Sequence, residues 1–166
     1  MLGPRINAGG RVGKCSHGAN LLLNKDPKNT FKLASELNQF NKERQMLEKD
    51  LLQKILNETK KYLDDPVLIL SGINWHQGII GIVASRLKDK FNKPVIIISL
   101  EGNTGKASAR SIIGFDIGSV IISATQENIL LKGGGHKMAG GFSIKTSHIE
   151  KFKEFVIRKF KKINED

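Results

Sequence analysis

The chain is expected to fold as an α/β protein, with a mixed, largely parallel sheet flanked by helices and preceded by a long connecting helix. Three features of its 166 residues predict this. Two β-branched apolar runs, residues 67–71 (VLILS) and 95–99 (VIIIS), have the composition of buried strands. Between them Ile79, Ile80, Ile82, Val83, Leu87 and Phe91 form the broad apolar face of a helix. A strand–helix–strand of this length implies a right-handed parallel crossover. Ahead of this unit, Leu33, Leu37, Phe40, Leu47, Leu51, Ile55 and Tyr62 recur at spacings of three, four and seven, the signature of one long amphipathic helix.

In chain order, residues 1–25 form a basic segment rich in glycine and arginine. Asp26-Pro27 then reads as an N-cap followed by proline at the first helical position. The helix it opens should run to about Leu63 and end at Asp64-Asp65-Pro66. At 1.5 Å per residue it would be roughly 50 Å long, more than a small domain needs, which suits a connector over residues 26–65. Residues 66–166 hold the α/β domain. After the crossover, residues 106–112 (KASARSI) alternate as a third strand and residues 115–124 read as a helix. Residues 141–145 form a further strand, and SHIE at 147–150 is a capping-box pattern. The helix it opens presents Ile149, Phe152, Val156, Phe160 and Ile163 on one side.

Composition narrows the function. With 27 Lys and Arg against 16 Asp and Glu, the formal net charge is +11. The excess is spread along the chain, although the first 25 residues hold Arg5, Arg11, Lys14 and Lys25 with no carboxylate, and residues 132–166 hold nine basic and four acidic side chains. An extended anionic partner such as a nucleic-acid backbone fits this balance. One cysteine, Cys15, excludes an internal disulfide or a cysteine-rich zinc site. No stretch approaches the roughly 18 apolar residues of a membrane span, and the N-terminus lacks a signal-peptide core. The expectation is a cytoplasmic chain with no membrane partner.

Four segments stand out from ordinary turns. Residues 3–13 (GPRINAGGRVG) combine small residues with Arg5 and Arg11, whose planar forks suit bidentate phosphate contact. Residues 74–81 (NWHQGIIG) join a strand to a helix N-terminus, where backbone N–H groups favour an anion, and Trp75 and His76 are candidates for a cleft wall or a cap. Ser108 and Arg110 are two apart and share one face of their strand, so a hydroxyl and a guanidinium can clamp one phosphate. Residues 132–141 (KGGGHKMAGG) read as a glycine loop that a ligand approaches closely, with Gly134, Gly135 and His136 at its centre. A plain turn before a strand and a structural histidine are the bland alternatives.

Ligands for two divalent ions are not evident. Residues 66–131 hold only Asp89, Glu101, Asp116 and Glu127 as acids, and the four histidines are far apart. No Gly-x-Ser-x-Gly elbow is present either.

Taken together, the GPRINAGGR, NWHQGIIGIVASRLK, SARS and GGGHKMAGG motifs resemble the RecJ family, the single-strand-specific exonucleases of the DHH phosphoesterase superfamily. Their order and spacing agree over nearly the whole chain. The resemblance implies the end of a DHH lobe at residues 1–25, the connecting helix, and a DHH-associated, substrate-binding domain at 66–166. It further implies that Arg5, Arg11, Ser108 and Arg110 grip the 5′-terminal phosphate of single-stranded DNA or its neighbours. Gly134 and Gly135 would line the cleft, with His136 as a phosphate or transition-state contact. The family's Mn2+ or Mg2+ would lie in the DHH lobe, whose motifs this sequence lacks. The chain is therefore expected to bind no cofactor itself, to be inactive alone, and to act in 5′→3′ DNA degradation during repair and recombination only with a DHH-lobe chain. Two alternatives remain open: the associated domain of a DHH-type small-nucleotide phosphodiesterase, and a stand-alone nucleic-acid-binding module.

Overall fold

A computed structural model of the chain describes residues 2–59 and 64–165, which divide into two compact units, residues 1–51 and 52–166. The first is helical. Helices α1 (Gly3–Val12) and α2 (Ser16–Leu23) precede α3 (Pro27–Thr59), a helix of 33 residues that continues into the second unit. The N-terminus of α3 is capped as its sequence requires: the Asp26 carboxylate accepts the backbone N–H groups of Lys28 and Asn29 at 3.2 and 3.3 Å. Tyr62 and Leu63, expected at its far end, lie outside the described residues.

The glycines of the first segment serve helix packing. A Cβ on Gly18 would lie 2.7 Å from Ile6, one on Gly9 3.1 Å from Leu37, and one on Gly13 2.7 Å from the Phe40 ring. The backbone of residues 3–18 does pass close to something, and that something is its own helical neighbours.

The second unit contains β1 (Leu68–Ile73), α4 (Gln77–Phe91), β2 (Val95–Glu101), β3 (Thr104–Arg110), α5 (Ile117–Gln126), β4 (Lys132–His136), β5 (Ala139–Lys145) and α6 (Ile149–Glu165). One five-stranded sheet runs in the order β1-β2-β3-β5-β4. The crossover is as expected, with β1 and β2 parallel around α4. The largely parallel character is corrected, because the other three pairings are antiparallel. For the β2–β3 and β4–β5 pairs the cause is loop length. Two residues, Gly102 at φ +56° and Asn103, separate β2 from β3, and two more, Lys137 and Met138, separate β4 from β5. So short a connection joins antiparallel neighbours only.

The core lies on one face of this sheet. Ile96, Ile98, Ala109, Phe142 and Ile144 pack there beneath Ile121 of α5 and Phe152 and Phe155 of α6. A 3-10 turn at Thr146–His148 precedes α6, which starts at Ile149 inside the expected SHIE pattern. Its apolar side turns inward as its spacing demands, except that Ile163 is 47% exposed. On the other face α4 lies over β2 and β3, burying Ile79, Ile80, Val83 and Leu87. Among the described residues, no helix is long and apolar enough to cross a membrane.

The glycine-rich stretch is a β-hairpin, not a loop. Its composition follows from α5, which lies against the hairpin. A Cβ on Gly133 would meet Ile121 at 2.7 Å, one on Gly140 would meet Ile121 at 2.5 Å, and one on Gly118 of α5 would meet the His136 backbone at 2.9 Å. Any side chain at these positions would lever helix and hairpin apart.

Candidate phosphate-binding groove

Because α4 lies over β2 and β3 only, β5 and β4 and the adjoining edge of β3 present a strip beside it. In antiparallel ladders, residues directly opposite one another share a face. The register therefore stacks three rows across the strip: Lys106, Ser143 and Lys132; then Ser108, Gly141 and Gly134; then Arg110, Ala139 and His136. The strip and the flank of α4 enclose a groove of about 620 Å³, lined among others by Gln77, Lys106, Ser108, Lys132, Gly134 and Ser143. None of its lining residues is acidic. Two lysines with no acid among the lining residues give the groove an excess of positive charge.

Ser108 and Arg110 meet as the period of two requires. Arg110 Nη1 donates to Ser108 Oγ at 3.0 Å and to its own strand at the Ala109 carbonyl at 2.7 Å. These bonds fix the guanidinium, so less freedom is lost when it takes a further acceptor. Gly81 of α4 makes the space: a Cβ there would lie 3.0 Å from both Arg110 Nη2 and Ser108 Oγ.

The three central glycines differ in role. Gly134 has nothing within 4 Å of where a Cβ would stand, so it leaves the groove floor open, whereas a Cβ on Gly135 would strike Ala139 O and Gly140 Cα at 2.5 Å. His136 is exposed at the end of β4, in the same row as Arg110. Trp75 is buried at 6% exposure, and its indole N–H has no partner among the described residues. His76 caps α4, its Nδ1 accepting the Gly78 N–H at 3.1 Å. Arg5 and Arg11 belong to the first unit, where both are exposed and Arg5 Nε donates to Asn38 Oδ1 at 3.0 Å.

Lys106 and Ser143 were not singled out by the sequence. Lys106 was within reach, since it stands two residues before Ser108 and shares its face. Ser143 and the placement of Lys132 follow only from the pairing of β5 between β3 and β4. Among the described residues, no three His, Cys, Asp or Glu side chains converge, so these residues do not fit a divalent-ion site.

Comparison with known proteins accords with this geometry. The family model described as DHHA1 domain matches residues 64–162. The chain is 37% identical over 159 residues to the single-stranded-DNA-specific exonuclease RecJ of Haemophilus influenzae, a match covering 91% of this chain and 28% of that protein. It is 34% identical over 152 residues to the RecJ of Bacillus subtilis, covering 90% of this chain and 19% of that one. The crystal structure of RecJ in complex with Mg2+ from Thermus thermophilus superposes with a TM-score of 0.87 at 32% identity, covering 97% of this chain and 25% of that one. The chain thus spans less than a third of the length of these relatives. With its family model covering most of the sheet-bearing unit, the chain belongs to the DHHA1 domain family.

Proposed function

We propose that this chain supplies the phosphate-binding face of a RecJ-type 5′→3′ exonuclease of DNA repair and recombination, gripping the 5′-phosphate end of single-stranded DNA. The observation that carries this is the groove itself, an acid-free strip on which Lys106, Lys132, Ser108 and Arg110 are brought into register beside an open Gly134. Similarity to proteins named single-stranded-DNA-specific exonucleases supports the choice of strand. In this reading Ser108 and Arg110 hold one phosphate, Lys106 and Lys132 neutralise its neighbours, and His136 contacts the phosphate or its transition state as a donor. Arg5 and Arg11, both exposed on the first unit, are taken as phosphate contacts of that unit in its own right. Phosphate contacts of this kind position a strand without reading its sequence.

Hydrolysis belongs elsewhere in this scheme. In this reading Mn2+ or Mg2+ would be held by a DHH lobe outside these 166 residues, since no three candidate ligands converge among the described ones, and the purified 166-residue chain would cut nothing. Incubation with 5′-phosphorylated single strands and Mn2+ checks that point; robust release of nucleotides would refute it. Binding is tested by fluorescence anisotropy with 5′-phosphorylated and 5′-hydroxyl strands. Preference for the phosphorylated end, lost in Arg110→Ala, is expected. Three phosphate contacts would give a log–log salt slope of about −2, at roughly −0.7 per phosphate on single strands. Equal affinity for both ends with a flat salt response would sink the proposal.

A further inference from the structure

Beyond Arg110, the groove's neighbourhood changes character. Ile113, in the turn after β3, is 92% exposed, and Met138, in the turn between β4 and β5, is 45% exposed. Apolar side chains exposed together on adjacent turns form one patch, the kind of surface that marks an interaction site. They are not on loose loops. The Ser111 N–H donates to Met138 O at 2.9 Å, the Ile117 N–H donates to Lys137 O at 3.2 Å, and Ser111 Oγ donates to Phe115 O at 2.6 Å. These bonds tie both turns into one rigid ridge.

A hollow lies on each side of that ridge, one of about 480 Å³ and one of about 530 Å³, and both are lined by Ile112, Ile113 and Met138. Their electrostatics differ from those of the groove. One hollow carries Lys88 beside Asp89 and the other Lys137 beside Asp116, so each is balanced where the groove is purely cationic. An uncharged, flat-faced ligand suits them better than a phosphate. The ridge also continues the phosphate-binding strip, since Met138 adjoins Ala139, the partner of Arg110 in the register.

We infer that Ile113 and Met138 form an apolar wedge that packs against nucleobases of the strand whose phosphates lie at Ser108 and Arg110, one base on each side. The inference rests on the reading of the groove given above. It commits to nucleobases as the occupant because the ridge prolongs the phosphate strip and its flanking hollows are electrically balanced. Aliphatic and thioether side chains serve as such wedges between base steps elsewhere. They contact any base face without reading its edge, so the expected preference is for the presence of bases rather than for their identity.

The test compares a 5′-phosphorylated oligothymidylate with an abasic strand of equal length, both titrated with the full chain. Wild type should bind the base-bearing strand more tightly. The double variant Ile113→Ser/Met138→Ser should lose about tenfold on that strand, the low end for loss of one base contact, and nothing on the abasic strand. The variant Ile113→Leu/Met138→Leu, which keeps the apolar surface, should retain the preference. Equal binding of the base-bearing strand by wild type and the serine variant, or an equal loss on both strands, overturns the wedge. Arg110→Ala separates the two readings, because it should weaken both strands alike. If it weakens neither, the phosphate reading fails, and if it weakens both while the serine variant changes nothing, only the wedge fails.

Discussion

Gly81→Ala separates stability from binding at the groove. The added methyl would lie 3.0 Å from Arg110 Nη2 and 3.0 Å from Ser108 Oγ, tighter than ordinary van der Waals contact. The backbone of α4 is fixed by its buried face, so the flexible guanidinium must give way, and the 3.0 Å bond from Arg110 to Ser108 is broken or bent. For folding, two effects oppose each other. Alanine is favoured over glycine inside a helix by about 0.5–1 kcal/mol. Loss of one partly buried hydrogen bond costs about 1 kcal/mol. Net stability should change by less than about 0.5 kcal/mol, read from the midpoint of a urea transition. For binding nothing compensates, because the donor fork would no longer face the proposed phosphate. A charge-assisted contact of about 1.5–3 kcal/mol is lost, or roughly 10- to 100-fold in affinity for a 5′-phosphorylated single strand. Anisotropy titration at fixed salt measures this. An unchanged affinity at unchanged stability would refute the view that the geometry of the Ser108–Arg110 pair, and not merely its charge, makes the site.

Three further outcomes follow from the same packing. Gly118→Ala should destabilise by about 1–3 kcal/mol in urea unfolding, because its Cβ would meet the His136 backbone at 2.9 Å and α5 cannot stay seated on β4. Asp116 caps α5; the Ser119 backbone N–H it accepts at 3.0 Å holds its carboxyl below the ordinary aspartate value, with the nearby Lys137 charge adding to the effect. Its stabilising contribution is thus fully present above the unfolded value of about 3.9 and is lost as pH falls through the lowered folded value. Asp116→Asn should flatten that part of the acid limb in a stability-versus-pH series, and an identical limb in both proteins would contradict the assignment. Trp75→Phe should alter stability by less than about 1 kcal/mol, since it removes a buried N–H that has no partner among the described residues, whereas Trp75→Ala should cost about 3–5 kcal/mol by opening a cavity. Thermal denaturation of the pair distinguishes a packing residue from one that faces the groove.

The sequence by itself determined what depends on local periodicity. The long helix from Pro27, the crossover around α4 and the inward face of α6 follow from spacings of three, four and seven, and Asp26 caps where its position before proline requires. The pairing of Ser108 with Arg110 follows from the period of two, which puts both on one face whatever lies beside the strand. The tertiary structure decided which strands are neighbours. Alternation sets a residue's face within its own strand but carries no information about its partner across the ladder. Only the insertion of β5 between β3 and β4 brings Lys106, Ser143 and Lys132 into one row and sets the strip beside α4. The same non-local packing sorted the glycines, since a run of three is equally suited to a ligand or to a helix. With α5 seated on the hairpin, a Cβ on Gly133 would meet Ile121 and one on Gly135 the turn of its own chain, and only at Gly134 of the three is that space open.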